Sequence, residues 1–540
     1  MRRSTSDYML NFPLSIKHIC IMDQTAFQTT ITEGYTFKGE SIILGSAVLG
    51  GAPVKECFVR IPLATLNRHG LIAGATGTGK TKTLQLLAEQ LSANGIPTLV
   101  MDIKGDLSGI AAKGETNAKI TERHDLIGLP FIPGSSPVEF LSLSSEPGAR
   151  LRATVLEFGP VLFSKMLDLN ETQQGVITVI FKFCEDHELP LLDLEDLKKV
   201  LQYLTTDGKE AFEAEYGKIM TTSTGTIMRK LVELEQQGAT EFFGEPSFDV
   251  EDLLRVNADG QGIVHALRLT DIQDKPKLFS SFMLQLLAEI YAIFPEEGDV
   301  KKPKLVLFID EAHLIFDNAS DALLDQIEVM IKLIRSKGIG IFFVTQNPSD
   351  IPDSVLGQLG LKIQHALRAF TAKDRKSIQK AAENFPESAY YKVDQILTEL
   401  GIGEALVTAL NEKGIPTPLV HCYLRAPQSR MDVLEPSEIK ALNDKSPLVS
   451  KYSEVIDRES AHEILTAKLE DAQLDSHREV IQQQRTRAKQ EKSTMEKVFS
   501  NTTTRQIGRT VARELTRGLL GVLGVKAATR RSTKKKTSWF

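Results

Sequence analysis

The chain has 540 residues, 42% of them hydrophobic and 25% charged, with a formal net charge of −6. That length implies about three domains of ordinary size, and the composition is that of a soluble globular protein. Cys20, Cys57, Cys184 and Cys422 form no C-x-x-C pair, which argues against a zinc site or a disulfide framework and fits a reducing cytoplasm. No apolar run approaches the roughly 20 residues of a membrane span.

The N-terminus, MRRSTSDYMLNFPLSIKHICIMDQ, has two arginines but no clean apolar segment or small-residue cleavage site, so no signal peptide is expected. Residues 1–24 are set apart as a leader, with disorder as one reading, and Met22 offers an alternative start. Short β-type runs separated by Gly and Pro follow, and residues 25–66 are expected to form a small β element.

The segment GATGTGKT matches the phosphate-loop pattern G-x-x-x-x-G-K-[ST] in full. Gly74, Ala75, Thr76, Gly77, Thr78, Gly79, Lys80 and Thr81 are therefore the expected nucleotide-binding residues. Such a loop turns its backbone N–H groups inward around phosphate oxygens, and glycines permit the close approach. Lys80 would bond the β and γ phosphates, and Thr81 would ligate Mg²⁺. RHGLIA before the loop reads as a short buried strand. After it, Leu84, Leu87, Ala88 and Leu91 recur at helical spacing, so a helix N-terminus faces the anion.

IPTLVMDIKGD predicts a second buried strand ending at Asp102, with polar residues at the C-terminal tip, where open α/β sheets bind ligands. Asp102 and Lys104 either face the same crevice or make an ordinary turn ion pair. Residues 67–146 form the first part of an ATPase core by this reading, and 147–257, rich in helical spacing, a helical insertion. Residues 258–427 form the second part of the core, opening on the strand GIVHALRL and the helix LFSSFMLQLLAEIYAIF.

KLVLFIDEAHLIF is a buried strand capped by Asp310 and Glu311, a Walker B pattern about 230 residues after the loop. Asp310 would hold the Mg²⁺ shell, and Glu311 would act as general base or orient the water, since hydrolysis of a nucleoside triphosphate is mostly positioning and electrostatics. GIGIFFVTQNPSD gives a further buried strand. At its tip, Gln346 either senses the γ phosphate or caps its own loop. Arg335 and Arg368 are candidates for a catalytic finger inserted into a neighbour's site, with a surface arginine or structural ion pair as the alternative for each. His69 and His313 have no ligand spacing and read as structural.

These residues make the chain resemble the HerA/FtsK superfamily of ring-forming P-loop ATPases, most closely the bacterial HerA-like helicase-domain proteins. The likeness rests on LNRHGLIAGATGTGKTKTLQ, MDIKGDLSGI, FIDEAHLIF, IRSKGIGIFFVTQNPSDIPDSVLGQLG and HALRAFTAKD, and spans about residues 30–425. RGLLG near Arg517 extends it into the tail. The resemblance implies an α/β fold with a RecA-like P-loop NTPase core and mostly parallel sheet, a homo-hexameric ring with ATP between subunits, and ATP-driven movement of DNA through a central channel. By this resemblance the N-terminal β segment looks shorter than the barrel of archaeal HerA proteins, which puts in doubt a nuclease partner docked through that barrel.

A linker and helix are expected over 428–475, then a tail over 476–540. From Ser476 onward 16 Lys and Arg stand against four Glu, a net +12, which leaves −18 for the rest. Arg505, Arg509, Arg513 and Arg517 lie about 200° around a helix from Ile507, Val511, Leu515 and Leu519. One face of that helix is basic and the other apolar, and the last residues are expected to be disordered. Anionic membrane surface, nucleic-acid phosphates and the protein's own body are its candidate partners. The leading expectation is an ATP- and Mg²⁺-dependent DNA translocase or helicase. The alternative is an ATPase with a protein or membrane-associated load, of secretion or conjugation coupling type, because a P-loop core reports the fuel and seldom the load.

Overall fold

Runs such as LVLFI and IGIFFVT are apolar at every position, without alternation, and this marks strands covered on both faces. In the computed structural model both are strands buried along their whole length. The structure describes residues 14–474 apart from 273–274, 299, 317–320, 370, 455 and 457. The expected basic tail and residues 1–13 of the leader lie outside the described residues.

Twelve strands form one sheet: β1 (Ser41–Leu49), β2 (Ala52–Pro62), β3 (Gly70–Ala73), β4 (Thr98–Asp102), β5 (Val138–Ser142), β6 (Ala149–Arg150), β7 (Val264–Arg268), β8 (Leu305–Ile309), β9 (Ile339–Thr345), β10 (Leu361–Gln364), β11 (Glu404–Thr408) and β12 (Val420–Leu424). Their order is β2-β1-β12-β11-β10-β3-β9-β8-β4-β7-β5-β6. From β10 to β6 every neighbouring pair is parallel. From β10 outward to β2 every pair is antiparallel. The strand that carries the phosphate loop is separated from the Walker B strand by β9, which is the arrangement of a RecA-like core.

The chain divides into two compact units. The first comprises, of the described residues, those within 14–153, 234–284 and 295–457 and contains the sheet. Its helix Lys80–Ala93 buries Leu84, Leu87, Ala88 and Leu91, each 1% exposed or less, in the core that includes Ile72, Val306, Phe342 and Val344. Complete burial of each leucine contributes about 1.5–3 kcal/mol.

Three expected boundaries fall elsewhere in this unit. The small β element is not separate: β1 pairs with β12 at Ala47↔Cys422, so backbone hydrogen bonds merge it into the large sheet. The helix Leu14–Gly34 crosses the expected leader boundary at residue 24. The boundary at 427 also cuts through contacts, since buried Glu89 accepts hydrogen bonds from the N–H groups of Gln428 (2.7 Å) and Ser429 (3.1 Å).

The second unit comprises 154–233, 285–294 and, of the described residues, 458–474 and is helical. Thr154 with Glu157, Asn170 with Gln173 and Asp193 with Asp196 form capping boxes at three of its helices. Each satisfies orphan N–H groups of a first turn. Phe163, Phe181, Phe183 and Phe212 are among its buried side chains.

Candidate functional site

Strand β3 ends at Ala73, and Gly74–Gly79 turns the chain into the helix Lys80–Ala93. Gly74, Gly77 and Gly79 adopt φ of +153°, +79° and +114°, which L side chains adopt only at a cost. A Cβ on Gly74 would also lie 2.5 Å from the His365 Cβ. The loop is tied to neighbouring strands: Gly74 N–H donates to Thr345 O (3.2 Å) and Ala75 N–H to Ala366 O (2.8 Å). Thr78 Oγ1 donates to Ala75 O at 2.7 Å, while Thr76 and Gly77 form an exposed rim. Lys80 Nζ donates to Gly74 O at 2.7 Å and Ala75 O at 3.3 Å, which holds the ammonium against the loop's own backbone. Burial pulls its pKa down, and the charges of Glu311 and Asp310 pull it back.

Asp310 and Glu311 follow β8 and are 4% and 5% exposed. Because Ile309 pairs with Phe343 on β9, and Thr345 on β9 pairs with Ala73 on β3, both acids emerge at the edge that carries the loop. Glu311 has φ +46°, a left-handed backbone that in a non-glycine residue marks stored strain. Lys104, in the turn after β4, forms an ion pair with Glu311 Oε1, and His313 Nδ1 lies 3.3 Å from Glu311 Oε2. Asp310 Oδ2 and Glu311 Oε2 are buried without a hydrogen-bond partner. Burial and the Glu311 charge push the Asp310 carboxyl up to about 7. A buried carboxylate at Asp310 with an oxygen that accepts no hydrogen bond suits a hard divalent cation with oxygen ligands.

A family model described as Helicase HerA-like C-terminal matches residues 49–528 of the chain. The chain belongs to the HerA-like helicase C-terminal family. It is 23% identical over 371 residues to the DNA double-strand break repair helicase HerA of Saccharolobus solfataricus, covering 67% of this chain and 66% of that protein. With the HerA of Sulfurisphaera tokodaii it shares 22% identity over 380 residues, again 67% and 66% of the two chains. The match therefore spans just under two thirds of these relatives' length. The solved bacterial conjugative coupling protein TrwBdeltaN70 is 14% identical, with a TM-score of 0.49 over 75% of this chain and 94% of that one, a likeness too distant to carry an argument.

In this HerA-like chain Gln346 follows β9 and is exposed at the same edge. Capping of that turn falls to Asp350 instead, whose Oδ2 accepts from Thr345 Oγ1 at 2.5 Å and Asn347 N–H at 3.0 Å. Asp102 closes the turn after β4 by accepting from the N–H groups of Gly105, Asp106 and Leu107 at 2.8–3.2 Å, so Lys104 alone of that pair reaches the acids. Arg368 lies beyond β10 at the loop's edge and donates from Nη1 to Thr398 O at 3.3 Å. Arg335 immediately precedes β9, which runs parallel to β3, and therefore sits at the opposite edge, away from its own chain's loop.

Three contributors escaped the sequence reading. His365 is buried with Nε2 3.0 Å from Thr83 Oγ1, and burial together with the Lys80 charge pushes it down to about 4, so it is a neutral wall behind the loop. Gly403 N–H donates to Thr78 O at 3.1 Å. Arg123 stacks 4.0 Å from the Tyr423 ring centre and holds the Gly403 turn. The signal for His365 was its place directly after LKIQ. Arg123 and Gly403 carried none, because their contacts join segments about 280 residues apart.

Proposed function

We propose that this HerA-like chain is an ATP-hydrolysing motor that moves along DNA, as a hexameric ring with nucleotide between subunits. The observation that supports it best is the convergence on one sheet edge of the glycine cradle, Lys80 and two buried acids with unpartnered oxygens. The loop N–H groups and Lys80 would hold the β and γ phosphates. Thr81 and Asp310 would hold Mg²⁺, which would supply charge neutralisation at the phosphates. Glu311 would take the proton of the attacking water, with Gln346 placed to orient it. Arg368 or Arg335 would reach a neighbouring subunit's nucleotide.

DNA as the track rests on family membership and on the relatives named as DNA double-strand break repair helicases. The +12 tail that starts at Ser476 suits phosphate partners, a DNA backbone before an anionic membrane surface. Among the described residues no helix is long and apolar enough to cross a membrane.

The test is steady-state ATP hydrolysis by wild type and Glu311→Gln, with and without duplex, single-stranded and forked DNA. Stimulation by DNA that the variant loses supports the motor. Hydrolysis abolished by Glu311→Gln but indifferent to every DNA would keep the ATPase and reject the track, leaving a protein or membrane-associated load.

A further inference from the structure

The sheet order fixes the direction in which a nucleotide must lie. Strands β9 and β8, which lead to Gln346 and the two acids, stand on one side of β3, and β10 and β11 stand on the other. The phosphate to be cleaved belongs beside Glu311, so the sugar and base must leave the loop on the opposite side, over β10 and β11. Strand β11 runs antiparallel to β10, which brings its first residues to the same edge as the phosphate loop.

The turn Gly401–Gly403 lies there and docks on the loop. Gly403 N–H donates to Thr78 O at 3.1 Å, and a Cβ on Gly79 would lie 3.4 Å from the Gly403 nitrogen. Arg123 clamps the turn from behind, donating from Nη1 to Gly403 O (3.1 Å) and Leu424 O (2.8 Å) and from Nη2 to Ile402 O (3.0 Å). Glu404 accepts from Gly401 N–H at 3.0 Å and meets His421 Nε2 at 2.9 Å. Every polar contact of this turn serves to fix its backbone.

At its crest Ile402 is 72% exposed, more than any other large hydrophobic side chain among the described residues. A lone exposed isoleucine is ordinary. One clamped against a phosphate loop, on the side where a base must lie, has a ready occupant. We infer that Ile402 is the platform on which the base of a bound nucleoside triphosphate lies, with Arg123 as the positioning residue. This rests on the nucleotide reading above. Ile402 offers neither donor nor acceptor, so it meets the flat face of a base and not its edge, and adds affinity to ATP and GTP alike.

The experiment measures binding of Mg-ATP, Mg-GTP and Mg-tripolyphosphate to the full chain by calorimetry, for wild type, Ile402→Ala and Ile402→Asp, together with Arg123→Ala and Arg123→Lys. Loss of one apolar contact should weaken ATP and GTP about tenfold in Ile402→Ala, and further in Ile402→Asp, with tripolyphosphate unchanged. Arg123→Ala should show the same base-dependent loss, with partial rescue in Arg123→Lys. Because the Ile402 side chain is exposed, its replacement leaves the core intact. Unchanged ATP affinity in both Ile402 variants, or equal losses for ATP and tripolyphosphate, would overturn the platform while leaving the ATPase reading standing. Wild-type protein that binds no ATP at all would overturn both.

Discussion

Lys104 and Glu311 form an ion pair through Nζ and Oε1, joining the turn after β4 to the proposed general base after β8. The partners differ in surroundings: the lysine side chain is 41% exposed, the glutamate 7%. Lys104 is also close enough for its charge to depress the Lys80 ammonium. On the proposed reading, a γ phosphate bound by Lys80 would compete with Glu311 for Lys104, and capture of the lysine would free the carboxylate to accept a proton. Lys104→Ala should lower kcat/KM for Mg-ATP about 10- to 100-fold, the worth of one hydrogen bond to a charged group. Lys104→Arg should keep most of the activity. Wild-type hydrolysis by Lys104→Ala would reduce the pair to a resting contact.

Glu311→Gln separates binding from chemistry. It keeps the shape of the side chain and removes its basicity, so ATP should still bind while kcat falls about 10²- to 10⁴-fold. Equilibrium binding beside single-turnover hydrolysis checks both halves, and a variant with undiminished turnover would assign the proton to another group.

The loop glycines carry unequal burdens. Gly74 has φ +153° and His365 against it, whereas Gly77 has φ +79° and nothing within 4 Å of an added Cβ. Gly74→Ala should cost about 2–4 kcal/mol from dihedral strain plus overlap, and Gly77→Ala only about 1–2 kcal/mol from the dihedral. Urea unfolding of the two variants ranks them, and equal midpoints would show that His365 moves aside freely.

That difference also marks how far the sequence could be read. The strands ending at Ala73, Asp102, Ile309 and Thr345 were legible because uninterrupted apolar runs and the fixed phosphate-loop spacing both require a doubly covered parallel sheet. Strands β11 and β12 were not, being placed by pairing with distant segments such as β1. The position of the phosphate-loop glycines, Lys80, Asp310 and Glu311 at strand ends was legible for the same reason as their strands. Arg123 and the Gly403 turn act through contacts whose partners lie hundreds of residues away, and no local pattern encodes those, whereas His365 offered only its place directly after LKIQ. The boundary expected at 427 failed similarly, since Glu89 reaches across 339 residues to Gln428.

Buried histidines should make the fold sensitive to acid. Ile341 N–H donates to His69 Nδ1 at 3.0 Å, and His69 Nε2 lies 2.8 Å from Ile331 O, so the neutral ring carries its proton on Nε2. A second proton would face the Ile341 N–H. Burial pushes His69 down to about 4. With an unfolded value near about 6.5, its stabilising contribution is complete above that pH and is lost as pH falls toward the folded value, by up to about 1.4 kcal/mol per pH unit. Asp102 and Asp310, pushed up to about 6 and about 7, bind protons in the folded state over the same range and oppose the loss. The test is thus the difference in urea stability between wild type and His69→Gln across this range. The variant should fall less steeply as pH drops, and parallel curves would refute a neutral His69.

Glu89 links the phosphate-loop helix to the segment that follows the last strand. Its carboxylate accepts from Gln428 N–H at 2.7 Å and from Ser429 N–H and Oγ at 3.1 and 2.9 Å, while Gln85 Nε2 donates to Arg430 O at 2.8 Å. Glu89 is 6% exposed, so Glu89→Ala would leave two backbone N–H groups buried without acceptors. The expected cost is about 3–5 kcal/mol, since each orphaned donor forfeits its full desolvation energy. Because Glu89 lies more than two turns along the helix from Lys80, hydrolysis measured well below the unfolding transition should stay near wild type. A large loss of rate without loss of stability would instead show that the 428–430 segment sets the position of the loop itself.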